Sequence, residues 1–395
     1  ESHPEPTAAP LSPTCSHKPE IMGAGPSNEL ANKARVNIAT EKRAYVPGER
    51  IRGYVDLEVM QELSMDAVTV QLVGAAFTQV EYTTHSNEHT HHHTARQTVP
   101  VVALEAVVAT FPGNVAPPGR RQLPFAFDLP VDAPASIGRV GTGKNHCVFD
   151  YKVGVTVARP GFMRKNLVHR VALDVASAPV LNIKRAGPVT DVVELTACCC
   201  AYMGATTLTA SASADAVAAG DKVAVTFDVA NNASSDFENV RVFLRREVKF
   251  TARNHKKQHL TTLVELACPG CARGAHVRGK TVSFVVPSTG EAVPSLDVKT
   301  ITLAYYLEVK AMTSSPLVKN PSVRLPVGVV RRPVSAGHPE EATVLSVSAP
   351  AHAGNPPVGV VVATTSSATA GGAIPIAEVV AYEPNPGLQS LSPTP

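Results

Sequence analysis

One segment of this chain occurs twice, about 170 residues apart, and that repetition limits the fold more than any other feature. Tyr45-Val46-Pro47-Gly48-Glu49-Arg50-Ile51 returns as Val217-Ala218-Ala219-Gly220-Asp221-Lys222-Val223. Gly48 pairs with Gly220, Glu49 with Asp221, Ile51 with Val223 and Val55 with Phe227. In the same register Val68, Val70 and Leu72 pair with Val240, Val242 and Leu244. A period this long implies two copies of one domain, since solenoid repeats are far shorter.

Each copy reads as β-strands. Ile51, Gly53, Val55, Leu57 and Val59 alternate with polar residues, and so do Phe149, Tyr151, Val153, Val155 and Val157. In the second copy Val223 to Val229, Val240 to Leu244, and Ile301, Leu303, Tyr305, Leu307 and Val309 follow the same rule. Period two turns one face of a strand to a core and the other to water. Turn signals separate the strands: Pro47-Gly48, Pro112-Gly113, Pro117-Pro118-Gly119, Asn231-Asn232 and Ser288-Thr289-Gly290. No apolar period near 3.6 persists over three turns. The expected fold is all-β, with two tandem antiparallel, immunoglobulin-like sandwiches.

The later halves of the copies match with drifting offsets, as loop insertions would produce. Phe125-Ala126-Phe127-Asp128-Leu129-Pro130, then Pro134, Ser136 and Tyr151, parallels Phe284-Val285-Val286-Pro287, then Pro294, Ser295 and Tyr306. The expected organisation is a disordered segment over 1–32 and a first sandwich over 33–178. A linker and second sandwich follow over 179–331, then a disordered Pro/Ala/Ser/Thr-rich tail over 332–395. The tail reads as flexible despite an apolar patch at Val358-Gly359-Val360-Val361-Val362. The net charge of +3 points to no particular partner and gives no reason to expect nucleic acid. No run of eighteen apolar residues occurs, and the first residues show neither a basic n-region nor an apolar h-region. The chain starts without Met, so it reads as a fragment or a processed form and leaves open what precedes Glu1. Seven cysteines cluster at Cys198-Cys199-Cys200 and Cys268/Cys271, with Cys15 and Cys147 alone. One spaced pair per domain is missing, which favours a reducing, cytosolic setting.

The ordered motifs resemble those of the arrestin superfamily, and within it the α-arrestins, or arrestin domain-containing proteins. Tyr45-Val46-Pro47-Gly48-Glu49, Ile51-Arg52-Gly53-Tyr54-Val55, Val70-Gln71-Leu72-Val73-Gly74, Leu123–Pro130, Tyr151-Lys152-Val153 and Ala158-Arg159-Pro160 are similar to the arrestin amino-terminal domain. Gly220-Asp221, Asn231-Asn232-Ala233-Ser234, Tyr306-Leu307-Glu308-Val309 and Leu325-Pro326-Val327-Gly328 are similar to the carboxy-terminal one. The resemblance implies a non-catalytic adaptor, without cofactor, that binds cytoplasmic segments of membrane proteins. It also implies a role in endocytosis and endosomal transport, from the cytoplasm and peripherally at plasma membrane or endosomes. Pro-Gly makes a tight turn because Pro presets φ and Gly tolerates positive φ, so these residues build the fold.

Three residue groups are candidates for binding. Basic clusters at Lys33, Arg35, Lys42 and Arg43, at Arg159, Arg164 and Lys165, and at Arg253, Lys256 and Lys257 are suited to phosphorylated cargo tails or anionic lipid. More often, though, such clusters are simply solvated strand faces. The segment Thr84 to His93 holds five histidines, and His89, His91 and His93 are weak metal candidates, but it reads as a variable, solvated loop. Cys198, Cys199 and Cys200 suit S-acylation, or a zinc site completed by Cys268 and Cys271, or simply inert thiols. No G-x-S-x-G, Walker A or H-E-x-x-H motif occurs, so an enzyme is not expected. A zinc-dependent hydrolase built on the His segment ranks last. The tail lacks the Pro-Pro-x-Tyr motif through which α-arrestins recruit ubiquitin ligases: Pro356-Pro357-Val358-Gly359 has no Tyr. A retromer-type arrestin-fold sorting subunit and an extracellular tandem-sandwich adhesion protein are the alternative readings.

Overall fold

The period-two segments form strands throughout. The computed structural model describes residues 33–86, 89–161, 164–180, 182–196, 202–288, 292–313, 320–332 and 362–365, and among them there is no α-helix. The first domain contains β1 (Ala34–Thr40), β2 (Ala44–Tyr45), β3 (Arg50–Val59), β4 (Leu63–Ser64), β5 (Ala67–Ser86), β6 (His89–Thr110), β7 (Val115–Ala116), β8 (Gly119–Asp128), β9 (Ile137–Thr142), β10 (Asn145–Val157) and β11 (Leu167–Val175). The second contains β12 (Ala186–Thr196), β13 (Tyr202–Ala212), β14 (Ala216–Ala218), β15 (Lys222–Asn231), β16 (Phe237–Ala252), β17 (His255–Cys271), β18 (His276–Val285), β19 (Leu296–Val298), β20 (Ile301–Met312) and β21 (Ser322–Val330). A last strand, β22 (Val362–Thr365), pairs with β6.

The duplication holds strand for strand. In the first domain β1-β3-β8 packs across a core from β2-β11-β10-β5-β6, with β9 added to β10. In the second, β13-β15-β18 packs across from β14-β21-β20-β16-β17, with β19 added to β20. Even the exceptions match, since β2–β11 and β14–β21 are both parallel. Four of the described strands have no counterpart: β4 and β7, which pair with each other in the first domain, β12, outside β13 in the second, and β22, outside β6 in the first.

The repeated turn explains itself in three dimensions. Gly48 and Gly220 adopt φ of 83° and 85°, a region open to glycine at no steric cost. The acid that follows reaches back across the turn: Glu49 Oε2 accepts the Val46 N–H at 3.0 Å, and Asp221 Oδ2 the Ala218 N–H at 2.8 Å. The Val46 amide, helped by Lys42 and opposed by desolvation, holds the Glu49 carboxyl below its ordinary range. Farther along, Ser136 Oγ accepts from the Val175 N–H and Ser295 Oγ from the Val329 N–H, both at 2.9 Å.

The tyrosine equivalence needs correction. Tyr151 is fully buried and donates to the Pro134 carbonyl at 2.8 Å. Its counterpart is Tyr305, buried and donating to the Val293 carbonyl at 2.7 Å, and not Tyr306. Tyr306 lies out of phase with the inward residues of β20 and half-exposed beneath Arg324. The sequence expectation of a flexible tail over 332–395 falls mostly outside the described residues, and within it Val362–Thr365 is a strand.

His146 opens a pH dependence. It lies buried at the start of β10, its Nδ1 without a hydrogen-bond partner, its ring tilted 44° against Phe77. Desolvation, then the nearby Arg139 charge, pushes its pKa down. The unfolded chain therefore binds the proton more readily as pH falls through the ordinary histidine value of about 6.5, and stability is lost in that direction. The urea midpoint is expected to fall between pH 7.5 and 5.5, and to fall less in His146→Gln; equal slopes would remove His146 as the cause.

Candidate functional site

The two longest hairpins meet where the domains join. β5 and β6 project from the first domain, and β16 and β17 from the second. Thr78, fully buried on β5, donates its hydroxyl to the Thr251 carbonyl at 2.8 Å. The Arg253 N–H donates to Gln97 Oε1 at 2.5 Å, from a hairpin turn that holds Arg253 at φ 55°. The Tyr82 ring stacks on His255 with centroids 3.6 Å apart and planes 11° from parallel, and His93 stacks on Tyr82 at 5.3 Å.

These contacts enclose an open cleft of about 570 Å³, with walls from both domains, among them Glu81, His92, Asn145, His255, Lys256 and Lys257. Its charges are lopsided. Lys144 pairs with Glu81 at 2.9 Å, and the Glu81 N–H donates to Asn145 Oδ1 at 2.8 Å. The Lys144 hydrogen bond, against opposing desolvation, holds the Glu81 carboxyl below its usual range, and the Lys144, His92 and Lys257 charges add to it. Arg96 lies nearby, donating to Gln79 Oε1 at 2.8 Å. The Glu81 carboxylate thus faces Lys144 and Lys257, while Lys256 also lines the cleft. An exposed ion pair adds little stability, so Glu81 is more consequential for the potential of the cleft than for folding.

The predicted basic residues do not share one surface. Lys256 and Lys257 line the cleft, and Arg253 lies at the neighbouring hairpin turn, its N–H bonded to Gln97. Arg159, Arg164 and Lys165 follow the far end of β10, whose 13 residues separate them from Lys144 by roughly 40 Å. There the Arg159 N–H donates to Asn166 Oδ1 at 3.2 Å. Arg35 lies on β1 opposite Glu58, Lys42 is paired with Glu49 at 3.1 Å, and the Lys33 carbonyl accepts the Met60 N–H at 2.9 Å. Arg43 is exposed beside β2, its carbonyl accepting from the Asp174 N–H. Lys144 and Arg96 were not singled out in the sequence. Their signal is the pairing of β10 with β5, which sets His146 opposite Gln79 and brings the turn before β10 to Glu81.

The histidine segment is not the loop expected from its composition. It extends β5 and β6 as a ribbon, with His93 opposite Tyr82, His91 opposite Thr84 and His89 opposite Ser86. His93 Nε2 lies 2.9 Å from Thr84 Oγ1, and the His91 and His93 rings are 6.3 Å apart. Among the described residues no three His, Cys, Asp or Glu side chains are placed to hold a metal. Cys268 and Cys271 are buried on β17, and burial pushes both thiols up. Cys198, Cys199 and Cys200 lie outside the described residues. No described helix is long and apolar enough to cross a membrane.

Two sandwiches of the same topology, joined through long hairpins that border a basic cleft, define a two-domain β-protein. Residues 34–179 match the family model for the arrestin (or S-antigen) N-terminal domain, and residues 203–334 that for the arrestin (or S-antigen) C-terminal domain. The chain belongs to the arrestin family. No curated protein matches it.

Proposed function

We propose that the protein is a non-catalytic adaptor whose junction cleft binds acidic or phosphorylated cytoplasmic segments of membrane proteins, for endocytosis and endosomal transport. Arrestin domains support an adaptor role in trafficking in general. The observation that carries the finer reading is that the Lys144 and Lys257 charges, from two domains, both act on the carboxylate of Glu81, in a cleft that Lys256 also lines. Ammonium groups so placed bind phosphate or carboxylate oxygens as point charges. Glu81 occupies part of that field, so an incoming anion competes with it for Lys144. The family pattern of ligase recruitment through Pro-Pro-x-Tyr has no support in the tail. Peripheral placement at plasma membrane or endosomes follows from the cargo and needs no anchor in the chain.

Fluorescence anisotropy with matched phosphorylated and unphosphorylated tail peptides tests this reading. The phosphorylated peptide is expected to bind more tightly, and to lose about tenfold, or 1.4 kcal/mol, with Lys144→Glu/Lys256→Glu/Lys257→Glu. Glu81→Gln is expected to strengthen binding several-fold, and all these differences should shrink at high salt. Equal affinity for both peptides, or a triple variant indistinguishable from the parent, would refute the assignment. Retention by anionic vesicles with no peptide preference would assign the cleft to lipid instead.

A further inference from the structure

The edge of β6 is poorly guarded for an exposed strand. Edge strands are ordinarily protected by charge, proline, bulges or brevity, because their free N–H and C=O groups recruit further strands. From Val101 to Thr110, β6 contains one charged residue, Glu105, and no proline. The exposed Glu105 carboxylate leans toward β5 and away from the free edge, accepting from Gln71 Nε2 at 2.6 Å. Register shifts against β5 fall at Val102/Pro100 and at Ala109/Val107, leaving Val102 to Val107 as a regular stretch of free edge. The equivalent edge in the second domain, β17, carries His255, Lys256, Lys257, His259, Glu265 and Pro269, and no strand lies beyond it among the described residues.

The chain's own tail meets this stretch. β22 pairs antiparallel with β6, Val362 opposite Val107, Ala363 opposite Ala106, Thr364 opposite Glu105 and Thr365 opposite Leu104. The pairing lies wholly between the two register shifts. The tail sequence suits the role: Ala342 to Ala377 contains no Asp, Glu, Lys or Arg, and Val360 to Thr365 is β-branched at every position but Ala363. We propose that the β6 edge is a strand-acceptor site and that Val362–Thr365 is its resident occupant, a cover strand supplied in cis. Any extended, uncharged, β-branched segment that adds to the first domain at this edge must displace the tail.

Amide hydrogen exchange in the full-length chain tests the proposal directly. Ala363→Pro/Thr364→Pro removes two adjacent N–H groups, one of which faces β6 whatever the phase. Exchange at residues 104–107 is expected to accelerate at least tenfold in this variant, while the interior amides of β10 and β16 stay protected and report intact domains. A chain ending at Arg332, measured where light scattering shows a monomer, should behave the same way. It should also bind a fluorescein-labelled peptide of residues 355–370 at least tenfold more tightly than the full-length chain does. Unchanged exchange at 104–107, or peptide binding no tighter than to the intact chain, would overturn the proposal.

Discussion

A Gly74→Val protein is expected to lose about 3 kcal/mol of stability or more, read as a lower urea midpoint for the first domain. Gly74 on β5 stands opposite Tyr151 on β10. A Cβ at Gly74 would lie 2.4 Å from Tyr151 Cε1, well inside van der Waals contact. The ring has nowhere to go. It is fully buried, edge-on to Phe149 with centroids 5.3 Å apart, and its hydroxyl is committed to the Pro134 carbonyl. Moving it exchanges a clash for a buried carbonyl without a donor. Valine favours strands, so local preference acts in the opposite direction and a measured loss isolates the packing conflict. Gly138→Ala serves as the control, since nothing lies within 4 Å of its added Cβ. Equal midpoints for parent and Gly74→Val would mean that the sheet can open there at little cost.

The second large effect is expected twice, once in each domain. Tyr151→Phe and Tyr305→Phe each keep the ring and remove only the hydroxyl, leaving the Pro134 or Val293 carbonyl without its partner. Each should cost about 2 kcal/mol, the usual penalty for stranding a buried acceptor. Burial pushes the Tyr305 hydroxyl up to about 12, with Arg246 and the Val293 contact opposing the rise, so it stays a donor through the physiological range. Tyr306→Phe is the matched negative control and should change the midpoint little, because that ring lies at the surface. If Tyr306→Phe proved the costlier of the two β20 substitutions, the assignment of equivalent tyrosines would be wrong. Arg246 sharpens the comparison between the copies. It occupies in β16 the place that Gly74 holds in β5, opposite Tyr305 in register. The first domain thus accommodates its tyrosine by omitting a side chain, and the second by supplying a hydrogen-bond donor to it.

The fold was legible because its information is local and repeated. Period-two alternation, the Gly48 and Gly220 turns and the Ser136/Ser295 pair need only neighbouring residues to be read, and each recurs. The Tyr306 pairing failed where alignment by residue type ignored strand phase: Tyr305 keeps step with Leu303 and Leu307, and Tyr306 does not. The polarity of the His85–His93 segment suits a loop, but a two-stranded ribbon also leaves polar side chains in water, and the ribbon is what forms. The cleft was only half visible. Arg253, Lys256 and Lys257 stand out as a run, but Lys144 reaches them through the pairing of β10 with β5, and Glu81 acquires meaning only once Lys144 is beside it. Such long-range adjacency has no signature in one sequence.

The walls of the cleft belong to different domains, and this has a mechanical consequence. Glu81 and Lys144 belong to the first sandwich, Lys256 and Lys257 to the second, and Thr78, Gln97 and Tyr82 tie the two together beside the cleft, as Ser177 and Asp174 do elsewhere through Arg331. A ligand that touches both walls is therefore a strut as well as a guest. Its affinity depends on the angle at which the two sandwiches are set, and by thermodynamic reciprocity its presence sets that angle. Substitutions at these ties would then retune recognition as surely as those at the lysines.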